Sequence, residues 1–252
     1  LVLVFASPEF RGEGEPFQAL SHAYPDAVLM GCSTAGEISS ERLLHNAVSV
    51  LVIRFECTEV FDSSVKLDEF DDSSEAGAAL ARKLQKPGLK GVFLLSDGLH
   101  VNGSQLVEGM NRVLGHDIVV TGGLAGDNGR FENTWVFSGG RMASGEIAAA
   151  GFYGESVEIL YGYGGGWGVL GIEREVTRSH HNVLYELDGQ PALALYKRYL
   201  GDLSDALPAS GLLFPLAVLD ENGEEAYVRT ILGVNEEEQS IVFAGDVPEG
   251  SI

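Results

Sequence analysis

Short apolar runs alternate along this chain with stretches of helical spacing, and glycines or acids close most of the runs. Leu1-Val2-Leu3-Val4-Phe5 is apolar at every position, the pattern of a strand buried on both faces. Phe17, Leu20 and Tyr24 fall on one face of a helix over Phe17 to Tyr24, which Pro25-Asp26 ends. Ala27-Val28-Leu29-Met30 predicts a second strand, running into Gly31-Cys32-Ser33-Thr34-Ala35-Gly36-Glu37. Ala47 to Phe55, rich in valine and isoleucine, predicts a third.

The same order returns further along. Gly91 to Leu95 reads as a strand. Asn102 to Leu114 reads as a helix, with Leu106, Met110, Val113 and Leu114 on one side and Asn102 as its N-cap. Ile118 to Thr121 is a strand leading into Gly122-Gly123-Leu124-Ala125-Gly126-Asp127, and Ile147 to Phe152 echoes Ala47 to Phe55. With one deletion Gly31 aligns with Gly122, Ala35 with Ala125, Gly36 with Gly126 and Glu37 with Asp127. The pattern reads as an internal repeat of a strand–helix–strand–loop–strand unit, over residues 1–67 and 91–163. Thr58 to Pro87 reads as a linker. It carries an amphipathic strand at Val60 to Leu67, an acidic stretch from Asp68 to Glu75 and a helix from Ser73 to Lys86. The mixture predicts an α/β (α+β) fold, with a mixed β-sheet covered by helices.

Beyond Tyr153 the texture changes. Val157 to Tyr163 reads as a strand, followed by a second glycine-rich loop through Trp167 and Gly168. Arg174 to Leu187 alternates as strands. Ala192 to Leu200 is helical, with Pro191 at its start, where a missing N–H costs little. Leu212 to Val218, Ala226 to Val234 and Ser240 to Ala244 read as strands, with a hairpin turn at Asp220-Glu221-Asn222-Gly223. This predicts a smaller C-terminal α+β subdomain, and the chain divides into 1–178 and 179–252.

Charge narrows the partners. Among 252 residues, 37 are acidic and 16 are Lys or Arg, a net charge of −21. Nucleic acids and anionic membrane surfaces would be repelled, since both are bound through basic side chains. The two cysteines, Cys32 and Cys57, form no disulfide framework and no metal motif, which points to a reducing, cytoplasmic setting. No apolar run approaches the roughly 18 residues of a spanning helix. The chain begins inside a strand without a methionine, and Gly245 to Ile252 reads as an interruption, so a fragment of a longer protein is expected. The 33 glycines gather between apolar runs and read as shaped loops.

Four stretches together resemble the FIST family: Gly31-Cys32-Ser33-Thr34-Ala35-Gly36-Glu37-Ile38, Gly122-Gly123-Leu124-Ala125-Gly126-Asp127, Leu184-Tyr185-Glu186-Leu187-Asp188-Gly189-Gln190-Pro191-Ala192-Leu193, and Tyr227-Val228-Arg229 followed by Gly245 to Ser251. The resemblance covers the N-terminal region of that family almost completely and the first part of its C-terminal region. It implies an intracellular, non-enzymatic sensory domain for a small ligand, with amino acids suggested. Implied partners are a histidine kinase, a cyclase or other cyclic-dinucleotide enzyme, or a chemotaxis component. Within the same family a subset resembles haem-binding nitric-oxide sensors, which makes haem the alternative to no cofactor.

The residues offer chemistry consistent with a ligand site. In the loops at Gly31, Cys32, Ser33 and Thr34 and at Gly122 and Gly123, backbone N–H groups can approach an anion such as a carboxylate. Glu37 and Asp127 can receive an ammonium group, or can cap their own loops. Asp97 and His100 follow the first strand of the second copy, where loop ligands are often held. Arg229 stands in an apolar strand, Tyr227 to Val234, and needs a carboxylate, which a ligand, Glu186 or Asp188 can supply. Arg141 and Trp167 are weaker candidates. Neither glycine loop has the spacing of a phosphate or dinucleotide motif. Gly31 to Ala35 also has the form of a nucleophile elbow, giving a hydrolase at Ser33 or a thiol enzyme at Cys32 as a second alternative. For haem, His100, His180 or His181 would be the ligand. Adjacent residues on a strand point to opposite faces, so His180 and His181 cannot readily share one metal.

Overall fold

The computed structural model describes residues 1–12, 14–162, 164, 167–168, 171–219 and 225–252. The chain forms two compact units, one of Leu1–Val101 with Gln105–Gly162, the other of Asn102–Ser104 with the residues after 162.

The first unit contains β1 (Val2–Ala6), α1 (Gly14–Ala23), β2 (Leu29–Ser33), β3 (Glu37–Ser39), β4 (Arg42–Leu44), β5 (Val48–Val52), β6 (Glu59–Lys66) and α2 (Ser73–Leu84). It continues with β7 (Leu89–Ser96), α3 (Gly103–Leu114, from residue 105 onward), β8 (Val119–Leu124), β9 (Val136–Ser138), β10 (Arg141–Ala143) and β11 (Glu146–Tyr153). Its two larger sheets are mixed and ordered β10-β9-β2-β1-β5 and β6-β11-β7-β8, and β3 pairs with β4. Alternation along the strands explains their stacking. Val2, Val4 and Ala6 join Phe17 of α1 in one apolar cluster, whereas Leu3, from the opposite face of β1, joins Met30, Leu95, Ala148 and Ala150 in another. The far face of the second sheet, with Val92, Leu94 and Ile147, packs with Leu80 and Leu84 of α2 and with Leu106 and Met110 of α3. The layers therefore run helix, sheet, sheet, helices. Strands in the middle are covered on both sides, which is why β11 is buried at all eight positions. Phe17 sits between Trp135, edge-on at 5.8 Å, and Phe137 at 5.0 Å. Burying such a ring contributes about 1.5–3 kcal/mol.

Thr58 to Pro87, expected as a linker, is part of the fold. β6 pairs with β11 along its whole length, and α2 is capped by Asp72, which accepts the Glu75 N–H at 2.8 Å. The amphipathic spacing seen in the sequence thus belongs to an edge strand and a core helix. The β3–β4 and β9–β10 hairpins are too short to leave a periodic signal in the sequence. Of the strand expected over Val157 to Tyr163, Tyr163 lies outside the described residues and residues 157–162 form no strand: Val157 and Ile159 pack on the core between the sheets instead.

The second unit contains β12 (Val176–His180), β13 (Val183–Leu187), β14 (Gln190–Pro191), α4 (Ala192–Leu200), β15 (Leu216–Leu219), β16 (Glu225–Arg229), β17 (Ile231–Asn235) and β18 (Ser240–Phe243). The order β12-β13-β18-β17 makes its main sheet, β14 adds to β13, and β15 and β16 pair as a separate two-stranded ribbon. Leu193, Tyr196 and Leu200 of α4 close over Leu184, Ile241 and Phe243. The expected strand from Leu212 begins only at Leu216, after a turn of 3-10 helix at Ala209–Leu213. The expected strand Ala226 to Val234 is two strands, broken at Thr230, where the chain leaves the ribbon and enters the main sheet. The expected turn at Asp220 to Gly223 lies outside the described residues; the strands on either side of it pair antiparallel. Among the described residues, no helix is long and apolar enough to cross a membrane.

Candidate functional site

The two glycine loops leave corresponding places in the two sheets. β1 pairs parallel with β2 and antiparallel with β5, and β7 pairs parallel with β8 and antiparallel with β11. Val4 stands opposite Gly31, and Leu94 opposite Gly122. A Cβ on Gly31 would lie 2.0 Å from the Val4 carbonyl oxygen, and one on Gly122 would lie 1.8 Å from that of Leu94. At both positions glycine is needed because a neighbouring strand comes close. The Thr34 N–H donates to Ala6 O and the Ala125 N–H to Ser96 O. The loops also touch each other: the Gly126 N–H donates to Ser33 O at 2.9 Å.

The acids of these loops are engaged by their own surroundings. Glu37, 1% exposed, accepts from Ser7 Oγ at 3.0 Å, Thr34 Oγ1 at 2.6 Å and the Ala47 N–H at 3.3 Å. Asp127 accepts four successive N–H groups, from Arg130, Phe131, Glu132 and Asn133, at 2.7–3.1 Å. Asp97 accepts from the N–H groups of Leu99 and His100, from Thr134 Oγ1 and from the Gly145 N–H. Burial alone would raise its pKa. The N–H groups of Leu99, Gly145 and His100, with the Thr134 hydroxyl, outweigh burial and hold the carboxyl below its ordinary value.

A depressed folded-state pKa gives stability that is present above the unfolded value, about pH 4, and lost as pH falls through the folded one. Asp97→Asn should therefore flatten the acid limb of a plot of urea midpoint against pH below about 4. An unchanged limb would refute this role for Asp97.

The remaining sequence candidates fall as follows. Cys32 is buried, and burial pushes its thiol up to about 12, so it carries almost no thiolate at neutral pH. Ser33 is fully buried, and its Oγ accepts the Trp135 N–H at 3.1 Å. A nucleophile elbow would instead present that hydroxyl to solvent. The His100 ring is 70% exposed and meets Asp97 through Nδ1 at 3.0 Å. His180 and His181 are exposed, with ring centroids 4.2 Å apart. All three histidines are exposed, and none lines either cavity described below. Among the described residues no cluster of His, Cys, Asp and Glu could hold a metal ion. Arg141 bonds Glu146 at 2.8 Å.

Two cavities are lined by described residues that bear on the site. One, of about 530 Å³, lies in the first unit between Phe17, Phe137 and Met142 and a rim of Arg11 and His22. The other, of about 480 Å³, lies in the second unit. No residue of either glycine loop lines them. The floor of the second is apolar and buried, formed by Leu184, Ile241, Phe243 and Val247. Its wall includes Trp167, Arg174 and Arg229.

Arg229 is the unusual member. Its guanidinium stacks 3.8 Å from the Tyr227 ring, donates through Nε to Asp246 O at 2.6 Å and through Nη2 to Ser104 Oγ at 3.2 Å. Neither carboxylate expected from the sequence neutralises it: Glu186 pairs with Arg178 and Asp188 with Arg174. Asp246 attracts it from longer range while accepting Asn102 Nδ2 at 2.6 Å. Burial pushes its pKa down, against the opposing pull of Tyr227 and Asp246. The sequence singled out Arg229 but missed the cavity around it, because the floor residues come from β13, β18 and the segment after β18 and meet only in the fold.

The sequence matches the FIST N domain over residues 1–190 and the FIST C domain over residues 192–252. An uncharacterized protein of Methanocaldococcus jannaschii is 28% identical over 264 residues, which covers 93% of this chain and 49% of that protein. The chain thus spans about half the length of this relative.

Proposed function

We propose that this chain, which belongs to the FIST family of sensory domains in signal transduction, senses a small carboxylate held in the cavity of its second unit. One observation carries the reading: a half-buried guanidinium, that of Arg229, stands in an apolar wall with no carboxylate of the protein in ion-pair contact among the described residues. Apolar concave sites with a few polar anchors are where small molecules bind, and a planar guanidinium suits a carboxylate. The family resemblance implies an amino-acid-like ligand, and an apolar amino acid is one small carboxylate to test against Arg229.

Sensing needs a difference between free and bound states. Arg229 supplies one, because its Nη2 also holds Ser104 Oγ, which in turn accepts the Asp246 N–H. An incoming carboxylate competes for that donor and frees Ser104. The signal then passes to a partner of the kind the family works with, a histidine kinase, a cyclase or a chemotaxis component. No bond-making chemistry enters this reading.

Calorimetric titration with leucine, phenylalanine and tryptophan tests it. Replacing the guanidinium in Arg229→Gln should weaken binding by about 10- to 100-fold, the value of one charge-assisted hydrogen-bonded pair. Equal affinity in the two proteins would overturn the assignment of Arg229.

A further inference from the structure

We infer that the ligand of this cavity is an amphipathic monocarboxylate with an extended apolar body, of the fatty-acid class; the inference rests on the cavity reading above. The charges around the space argue for a single negative head. Arg229 has no carboxylate in ion-pair contact among the described residues, whereas Arg174 is already neutralised by Asp188 at 2.7 Å and hydrogen-bonded to the Tyr199 hydroxyl. Glu173, which also lines the space, would repel a second anion. An α-ammonium directly beside Arg229 would be repelled by the guanidinium.

The rest of the space argues for an apolar body. The buried floor offers carbon surface and no hydrogen-bonding side chain at Leu184, Ile241, Phe243 and Val247. Apolar surface continues outward, with Trp167 49% and Leu213 62% exposed on the lining. A free amino acid fills only part of about 480 Å³, which lies in the range that encloses a larger ligand. Water against such a surface is displaced favourably in proportion to the apolar area covered.

The test is a chain-length series of octanoate, decanoate and dodecanoate, each below its micellar concentration. Binding is followed by calorimetry and by tryptophan emission, where Trp167 responds and the fully buried Trp135 supplies a constant background. Each added methylene should tighten binding about three- to fourfold until the space is filled. Decanol should bind at least about tenfold more weakly than decanoate, and Arg229→Gln should lower decanoate to the level of decanol. Leu213→Glu, at an exposed position that poses no folding problem, should weaken decanoate and leave the urea midpoint unchanged. Decyl sulfate binding as tightly as decanoate would overturn the carboxylate head. Leucine or phenylalanine binding more tightly than decanoate would overturn the fatty-acid class while leaving the cavity reading intact. If neither series binds, and Trp167 is shielded from acrylamide, polypeptide fills the space and both readings fall.

Discussion

Gly122→Ala is expected to lower the stability of the first unit by about 3 kcal/mol or more, while Gly123→Ala next to it changes stability by less than about 0.5 kcal/mol. The two glycines look alike in the sequence. In the fold, Gly122 has φ +147° and its missing Cβ would stand 1.8 Å from the Leu94 carbonyl oxygen. That oxygen belongs to the backbone of β7, so it cannot turn aside as a flexible side chain would. A β-carbon at Gly123 meets nothing within 4 Å. Urea midpoints at constant slope measure the pair, since an unchanged slope means that stability alone has moved. Equal loss in both variants would show that the loop needs flexibility along its length, not room at one point.

Asp127→Ala should cost about 2–3 kcal/mol and leave ligand affinity in the second unit unchanged. One carboxylate holds four consecutive N–H groups of the turn that follows it. It also keeps Asn128 and Phe131 at φ +61° and +56°, a conformation that a bulky residue adopts only under constraint. Without the carboxylate, water can reach part of the exposed turn, which limits the loss. Asp127→Asn should fall between the two, because an amide presents one acceptor and turns its N–H groups toward other donors. Differential scanning fluorimetry reads the stability change and calorimetry the affinity. If affinity for a carboxylate ligand fell with Asp127, the acid would be receiving part of the ligand, and the cavity reading would need a second contact.

Much of the fold was legible in the sequence because its strongest signals are local. The all-apolar runs at Leu1 to Phe5, Gly91 to Leu95 and Ile147 to Phe152 mark strands covered on both faces, and the spacing of Leu106 and Met110 marks α3. Asn102 was readable as an N-cap, and its Oδ1 accepts the Ser104 N–H at 3.1 Å. What escaped was non-local. Nothing near Val136 to Ser138 tells that this short strand joins β2 in the other sheet. An apolar stretch such as Val157 to Gly162 looks like a strand whether it finds a ladder or only a greasy surface. The candidate residues could be picked out from the sequence, but their partners could not. Glycines followed by an acid announce a tight loop, yet the same residues serve a ligand or the loop itself, and only hydrogen-bond partners tell which. For Arg229 the sequence posed the right question, that of its missing carboxylate. Answering it required seeing that Glu186 and Asp188 are taken by Arg178 and Arg174.

The place of β9 beside β2 also bears on how a ribosome delivers this protein. Trp135 bonds Ser33 across 102 residues. At about 5–20 residues per second, that partner emerges roughly 5–20 seconds after β2. Until then the nascent chain carries β2 with a bare edge and Phe17 without its aromatic neighbours. Translation pauses in that interval would lengthen the exposure and raise the demand for chaperones.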